Sequence, residues 1–139
     1  MEEIVKNNTK VLTVTKEVNG LNWPKVLTKY AQIPAIYYII YKDILVKIGE
    51  SKNIYSRFSS YRTEVKKLNE NLIHSTNGSV LTVHKLNELM DVGDNVYIYA
   101  WFIKPKKQFE IHDNRQVPIT IDLVKLETLE RKKYNPLLK

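Results

Sequence analysis

Residues 35 to 48, AIYYIIYKDILVKI, constrain the fold of this chain more than any other stretch. β-branched and aromatic residues fill both halves, and the polar pair Lys42-Asp43 divides them, which is the pattern of a β-hairpin. Gly49 ends the second run. Directly after it, Ile54, Phe58, Tyr61, Val65 and Leu68 recur at alternating steps of four and three. That spacing draws one buried stripe along an α-helix, with Ser51 as the expected N-cap. The hairpin and helix are close enough in sequence to pack on one another.

The register of the hairpin decides which side chains can cooperate, because a one-residue slip moves a side chain to the other face. A two-residue turn at Lys42-Asp43 would set Tyr37 opposite Ile48 and send Tyr37 and Lys47 to opposite faces. A three-residue loop, Tyr41 to Asp43, would set Tyr37 directly opposite Lys47. Lys-Asp is not a dipeptide that favours the two-residue turn, so the longer loop, with Tyr37 facing Lys47, is expected.

Around this unit the chain reads as alternating elements. KVLTVT at residues 10 to 15 alternates as a strand does, and Asn19-Gly20 marks a turn. Trp23-Pro24 could open a short helix through Lys29, with Pro at the first helical position. Residues 71 to 79 are polar and read as a loop, and Val80 to Met90 reads as a helix that Gly93 breaks. VYIYAWFI at residues 96 to 103 is apolar enough for a central strand. Residues 104 to 107 form a basic loop, and a last helix runs from Ile119 to Lys133 until Asn135-Pro136 stops it. The sum is an α+β fold, a small mostly antiparallel β-sheet with flanking helices. The 139 residues suit one domain.

With 22 Lys and Arg against 15 Asp and Glu, the formal net charge is +7, which favours a polyanionic partner. The chain has no cysteine, so a thiol nucleophile and a cysteine zinc site are excluded. His74, His84 and His112 form no ligand-spaced pair, and no glycine-rich phosphate loop is present. The first residues lack the apolar core of a signal peptide, and no apolar run approaches the ~20 residues of a membrane span. A cytoplasmic protein is expected.

Several residues could carry chemistry. Arg57 and Tyr61 share a helix face. Lys47 is the one charged side chain in ILVKIG. Glu127 borders the apolar face of the last helix, with Glu130 as its neighbour one turn on; a carboxylate in such a place usually has a partner. Each alone could be an ordinary core or surface residue.

Together these positions resemble the GIY-YIG nuclease family. Ala35-Ile36-Tyr37 is similar to its first triplet, with Ala for Gly, and Lys47-Ile48-Gly49 to its second, with Lys for Tyr. The stretch from Gly49 to Arg57 has the family's spacing from glycine to arginine. Tyr61 stands where the family often has His. Glu127, ahead of Asn135-Pro136, matches the family's metal-binding Glu. The match is strong over residues 33 to 61, fair over the last helix and loose between them. The Lys variant, Tyr61-Arg62-Thr63 and the helical segment before VYIYAWF look most like its phage and type II restriction branch.

The resemblance implies a single nuclease domain over 1–139, with an N-terminal extension over 1–32 and a helical insert over 64–95. It implies a divalent-metal-dependent endonuclease that hydrolyses phosphodiester bonds of double-stranded DNA to leave 5′-phosphate and 3′-hydroxyl ends. Tyr37, Lys47, Arg57, Tyr61 and Glu127 would form the catalytic set, with Glu127 holding Mg²⁺ or Mn²⁺ and either Tyr37 or Lys47 as the base. Lys52, Lys104, Lys106 and Lys107 are candidate DNA-phosphate contacts. One catalytic set per chain implies a homo-oligomer, a dimer or higher, for a double-strand break. The alternatives are a nucleic-acid-binding module or regulator on the same scaffold without catalysis, and a nuclease for RNA or single strands.

Overall fold

A computed structural model describes residues 1–70, 78–104, 109–118 and 121–138. Helix α1 (Glu2–Asn7) precedes β1 (Thr9–Glu17) and β2 (Gly20–Asn22). The hairpin is β3 (Ala35–Tyr41) and β4 (Ile44–Ser51). Helices α2 (Ile54–Asn69) and α3 (Gly78–Leu89) follow, then β5 (Asn95–Phe102), a small hairpin of β6 (Phe109–His112) and β7 (Arg115–Pro118), and α4 (Leu123–Tyr134). Five strands form one sheet in the order β2-β1-β5-β3-β4, and every strand pair in it is antiparallel. The α+β architecture expected from the sequence is the one observed.

Both faces of the sheet are covered. Helices α2 and α3 press Ile54, Phe58, Tyr61, Val65, Val83 and Leu86 against Tyr37, Ile39 and Tyr41. On the opposite face, Ile4 of α1 and Leu123 of α4 meet Ile36, Tyr38 and Ile40. All seven residues of β3 are therefore buried, which explains an apolar run without alternation. As expected, β5 is central.

The hairpin register differs from the expected one. Tyr41 pairs with Ile44, so the loop is the two-residue Lys42-Asp43 turn after all. Lys42 has φ +51°, the left-handed value that the first position of such a turn needs. One strand step further in, Ile40 pairs with Leu45 but Ile39 pairs with Lys47, so Val46 is an extra residue, a β-bulge. From there Tyr38 faces Ile48 and Tyr37 faces Gly49. Tyr37 and Lys47 are not opposite one another. They do share a face, because the bulge adds the residue that the short turn withheld.

Other boundaries moved as well. Asn53, not Ser51, caps α2, its side chain accepting from the Ser56 amide at 3.2 Å. Ser51 Oγ instead accepts from the Asn53 amide at 3.0 Å. The expected helix from Trp23 to Lys29 is replaced by one short 3₁₀ turn, Thr28–Tyr30. Trp23 is buried against α2 instead. The last helix begins at Leu123, capped by Asp122. The short α1 and the β6-β7 hairpin were not expected. Within the expected loop over 71–79, residues 71–77 lie outside the described residues, and 78–79 already belong to α3.

Asp94 fastens the far end of the sheet. Its Oδ2 accepts from the Tyr41 hydroxyl at 2.6 Å and from the Asp91 amide at 2.9 Å. These bonds, Tyr41's first, hold its carboxyl below the usual Asp value. A depressed folded-state pKa gives stability that is present above the unfolded value, about 3.9, and is lost as pH falls through the folded one. Asp94→Asn should thus melt lower than the parent at pH 7. The gap between their melting temperatures should close as pH drops below the ordinary Asp value, which a calorimetric series across acid pH would show.

Candidate functional site at the edge of the sheet

Tyr37 and Gly49 face each other across the hairpin, and the tyrosine ring lies over the glycine. A Cβ built on Gly49 would overlap the Tyr37 ring, so a bare backbone is the only surface on which this ring can rest. The ring edge meets Phe58 at 5.3 Å between centroids. Its hydroxyl lies 2.9 Å from the Tyr61 hydroxyl, with both side chains buried. Tyr61 is in turn stacked on Trp23, with centroids 4.9 Å apart and planes 12° from parallel. Sequence periodicity placed Tyr61 in the core, and its phenol still finds a polar partner there, as a buried hydroxyl requires.

Lys47 reaches the same face from β4. Its Nζ donates to Thr82 Oγ1 of α3 at 3.1 Å and lies 5.8 Å from the Tyr61 ring centroid. Arg57, one turn before Tyr61 on α2, is exposed. Its charge still acts on the buried phenol of Tyr37 and eases that group's ionisation. Burial outweighs this help. Desolvation first, then the neighbouring Tyr61, pushes Tyr37 well above the ordinary tyrosine value. Tyr37 is therefore a phenol here, able to donate or accept a hydrogen bond but poorly suited to act as a phenolate.

Glu127 approaches from the opposite face on α4, and its side chain is only 14% exposed. Its Oε1 makes a 2.7 Å ion pair with Arg131 Nη2. Burial raises the Glu127 pKa; Arg131 opposes that, Glu50 adds to it, and Lys47 and Arg57 lower it. The carboxylate thus shares one electrostatic neighbourhood with Lys47, Arg57 and Glu50, and it also acts on Tyr37. Tyr37, Tyr61 and Lys47 are thus neighbours near the Gly49 end of the edge strand β4, and Arg57 and Glu127 are close enough to act on this group through their charges. Glu130, the competing carboxylate, accepts from the Tyr38 hydroxyl at 2.8 Å. It is thereby committed to the packing of α4 on β3.

Among the described residues no group of three or more His, Cys, Asp or Glu could enclose a metal ion. A single carboxylate suits Mg²⁺ nonetheless, since that ion keeps most of its waters and commonly binds through one or two carboxylates plus substrate phosphate. Glu127 has that character. Lys52 and Lys104 are exposed, at the β4–α2 junction and after β5. Lys106 and Lys107 lie outside the described residues.

Sequence reasoning missed Arg131, Glu50, Thr82 and Trp23. Arg131 could have been found, since it stands four residues after Glu127 on a helix, the spacing of a facing ion pair. Thr82 carries no such signal; only the packing of α3 brings it to Lys47.

Gly49→Ala tests the cradle. The added methyl must drive the Tyr37 ring from its place, so the variant should lose about 1–3 kcal/mol of stability, the usual cost of overpacking. Urea unfolding measures this. Tyr37 should also stay protonated after the exposed tyrosines have ionised. An alkaline absorbance titration should show parent and Tyr37→Phe protein alike near the ordinary tyrosine value of about 10.

No protein-family model matches the sequence, and a search of curated proteins finds no match. Among solved structures, the fold is similar to that of a bacteriophage T4 EndoII mutant, with a TM-score of 0.64 and 22% identity over 99% of this chain and 96% of that one. The restriction endonuclease HPY188I in complex with product DNA aligns at a TM-score of 0.46 and 15% identity, over 96% of this chain and 79% of that one. The fold of this chain is thus the fold of the phage EndoII structure.

Proposed function

We propose that this protein is a divalent-metal-dependent endonuclease of double-stranded DNA. The observation that carries the proposal is the grouping of Tyr37, Tyr61 and Lys47 near the Gly49 end of β4, with Arg57 and Glu127 acting on it through their charges, on a fold shared with the phage EndoII structure. The basic excess of +7 suits a phosphate backbone, with Lys52, Lys104, Lys106 and Lys107 as contacts.

In the proposed reaction, water attacks the phosphorus and the bond from phosphorus to the 3′ oxygen breaks, leaving 5′-phosphate and 3′-hydroxyl ends. Mg²⁺ or Mn²⁺ on Glu127 would supply Lewis-acid stabilisation of the charge growing on the phosphate and the leaving oxygen. Arg57, exposed and free to swing, clamps a non-bridging oxygen. Of the two candidate bases, Tyr37 is the poorer because burial holds its proton. Lys47, whose Nζ meets the Thr82 hydroxyl and the Tyr61 ring, is the base we assign: in its deprotonated form it takes the proton of the attacking water. The buried Tyr37–Tyr61 pair acts from beneath, its hydroxyls fixing each other and the Tyr61 ring lying under Lys47 Nζ. A two-fold pair of subunits would address the two antiparallel strands.

Supercoiled plasmid incubated with Mg²⁺ or with EDTA tests this directly, with cleavage expected only in Mg²⁺. Glu127→Gln should lower the rate at least ~10²-fold, on the scale of losing a main transition-state contact, and should still shift duplex DNA on a native gel. Lys47→Met should cost more activity than Tyr37→Phe. Retention of DNA without cleavage by the parent protein would favour the binding-module alternative. A dead Glu130→Gln beside an active Glu127→Gln would overturn the assignment of the metal ligand.

A further inference from the structure

Arg131 is held in an unusual way. Its Nη2 makes the 2.7 Å contact with Glu127 Oε1 and a long one, 3.4 Å, with the Ile48 carbonyl oxygen of β4. Its Nε is buried and has no hydrogen-bond partner. A guanidinium fixed for structural reasons alone would be expected to spend its buried N–H groups on acceptors. Here one carboxylate oxygen supplies the strong contact, and the buried Nε goes unsatisfied. The side chain is 34% exposed, so it can leave without opening the core. The neighbouring cation Lys133 is engaged elsewhere, with Glu3 at 3.2 Å.

The carboxylate that holds Arg131 is also the one assigned to the metal. A guanidinium and a divalent ion compete for the same oxygen, and their like charges repel. The phosphodiester brings negative charge that attracts a displaced guanidinium and gives the ion a second ligand. We propose that Arg131 is a resident counter-cation on Glu127, displaced when the divalent ion binds and then taken up by the substrate phosphate. Metal and DNA consequently load together: the free protein binds the ion weakly, and duplex DNA raises the affinity, with the reciprocal effect that linkage demands. This rests on the assignment of the metal to Glu127.

Mn²⁺ binding, followed by the paramagnetic resonance signal of the free ion, tests it without reference to turnover. Arg131→Met should bind Mn²⁺ about fivefold more tightly than the parent, the scale of a partly exposed ion pair. Glu127→Gln should lose the site. Arg131→Gln, which keeps a polar head, should behave like Arg131→Met and serves if the latter melts early by circular dichroism. With Lys47→Met as a background checked to leave a short duplex uncut, added duplex should tighten Mn²⁺ binding, and by less once Arg131 is also replaced. Unchanged or weaker Mn²⁺ binding in both Arg131 variants, with binding still lost in Glu127→Gln, would overturn the counter-cation role alone. Equal Mn²⁺ binding by the parent and Glu127→Gln would overturn the metal assignment and the counter-cation role with it.

Discussion

A single extra residue in an edge strand sets the chemistry available to this protein. The Lys42-Asp43 turn, taken alone, would send Lys47 to the α4 side of the sheet and leave Tyr37 on the α2 side. Val46 restores the parity, and it is itself buried with the α2–α3 cluster. Bulges are tolerated at edges, where only one neighbour's ladder is disturbed. On the outer side of β4 the C-terminal segment takes over the pairing: the Leu137 and Leu138 amides donate to the Leu45 and Val46 carbonyls at 2.9 and 2.8 Å. The bulge is therefore braced from both sides, and Lys47 has little freedom to turn away from Thr82 and Tyr61.

Beyond the bulge, an aromatic relay fixes the positions of the polar groups. Trp23 supports Tyr61, Tyr61 bonds to Tyr37, and Tyr37 rests on Gly49. Each ring has few rotamers and is packed on more than one side, so the two hydroxyls are placed before any ligand arrives, which is the arrangement that favours preorganised polar catalysis. The two arginines, exposed Arg57 and part-buried Arg131, stand at the rim. The site thus joins a packed interior of phenols to guanidinium groups at the rim, with Glu127 paired to one of them.

Much of this was legible in the sequence where local patterning decides. The hairpin, the α2 stripe, the central β5 and the α4 stop at Asn135 follow from periodicity and turn chemistry, and the candidate residues followed from a spacing that resembles a known family. The register was not legible, because a two-residue turn plus a bulge and a three-residue loop both bring Tyr37 and Lys47 to one face, while only the first brings Gly49 beneath Tyr37. The segment after Trp23 looked helical because Pro24 can open a helix; burial of the indole beneath α2 decided otherwise. Arg131 and Thr82 depend on tertiary packing, and no local pattern announces their roles.

The strand order also has a kinetic side. Strands β1 and β2 form one local hairpin and β3 and β4 another, yet the two are joined only through β5, which comes after both α2 and α3 in the chain. The half-sheet that carries Tyr37, Lys47 and Gly49, together with α2, can assemble from contacts close in sequence. The sheet as a whole must wait for a late strand to enter between two waiting edges, and closing such long loops is slow. Until β5 arrives, the inner edge of β3, apolar along its whole length, stays open to any other strand. During synthesis this chain therefore passes through an interval in which the half that carries Tyr37, Lys47 and Gly49 is already shaped and its most adhesive edge is still uncovered.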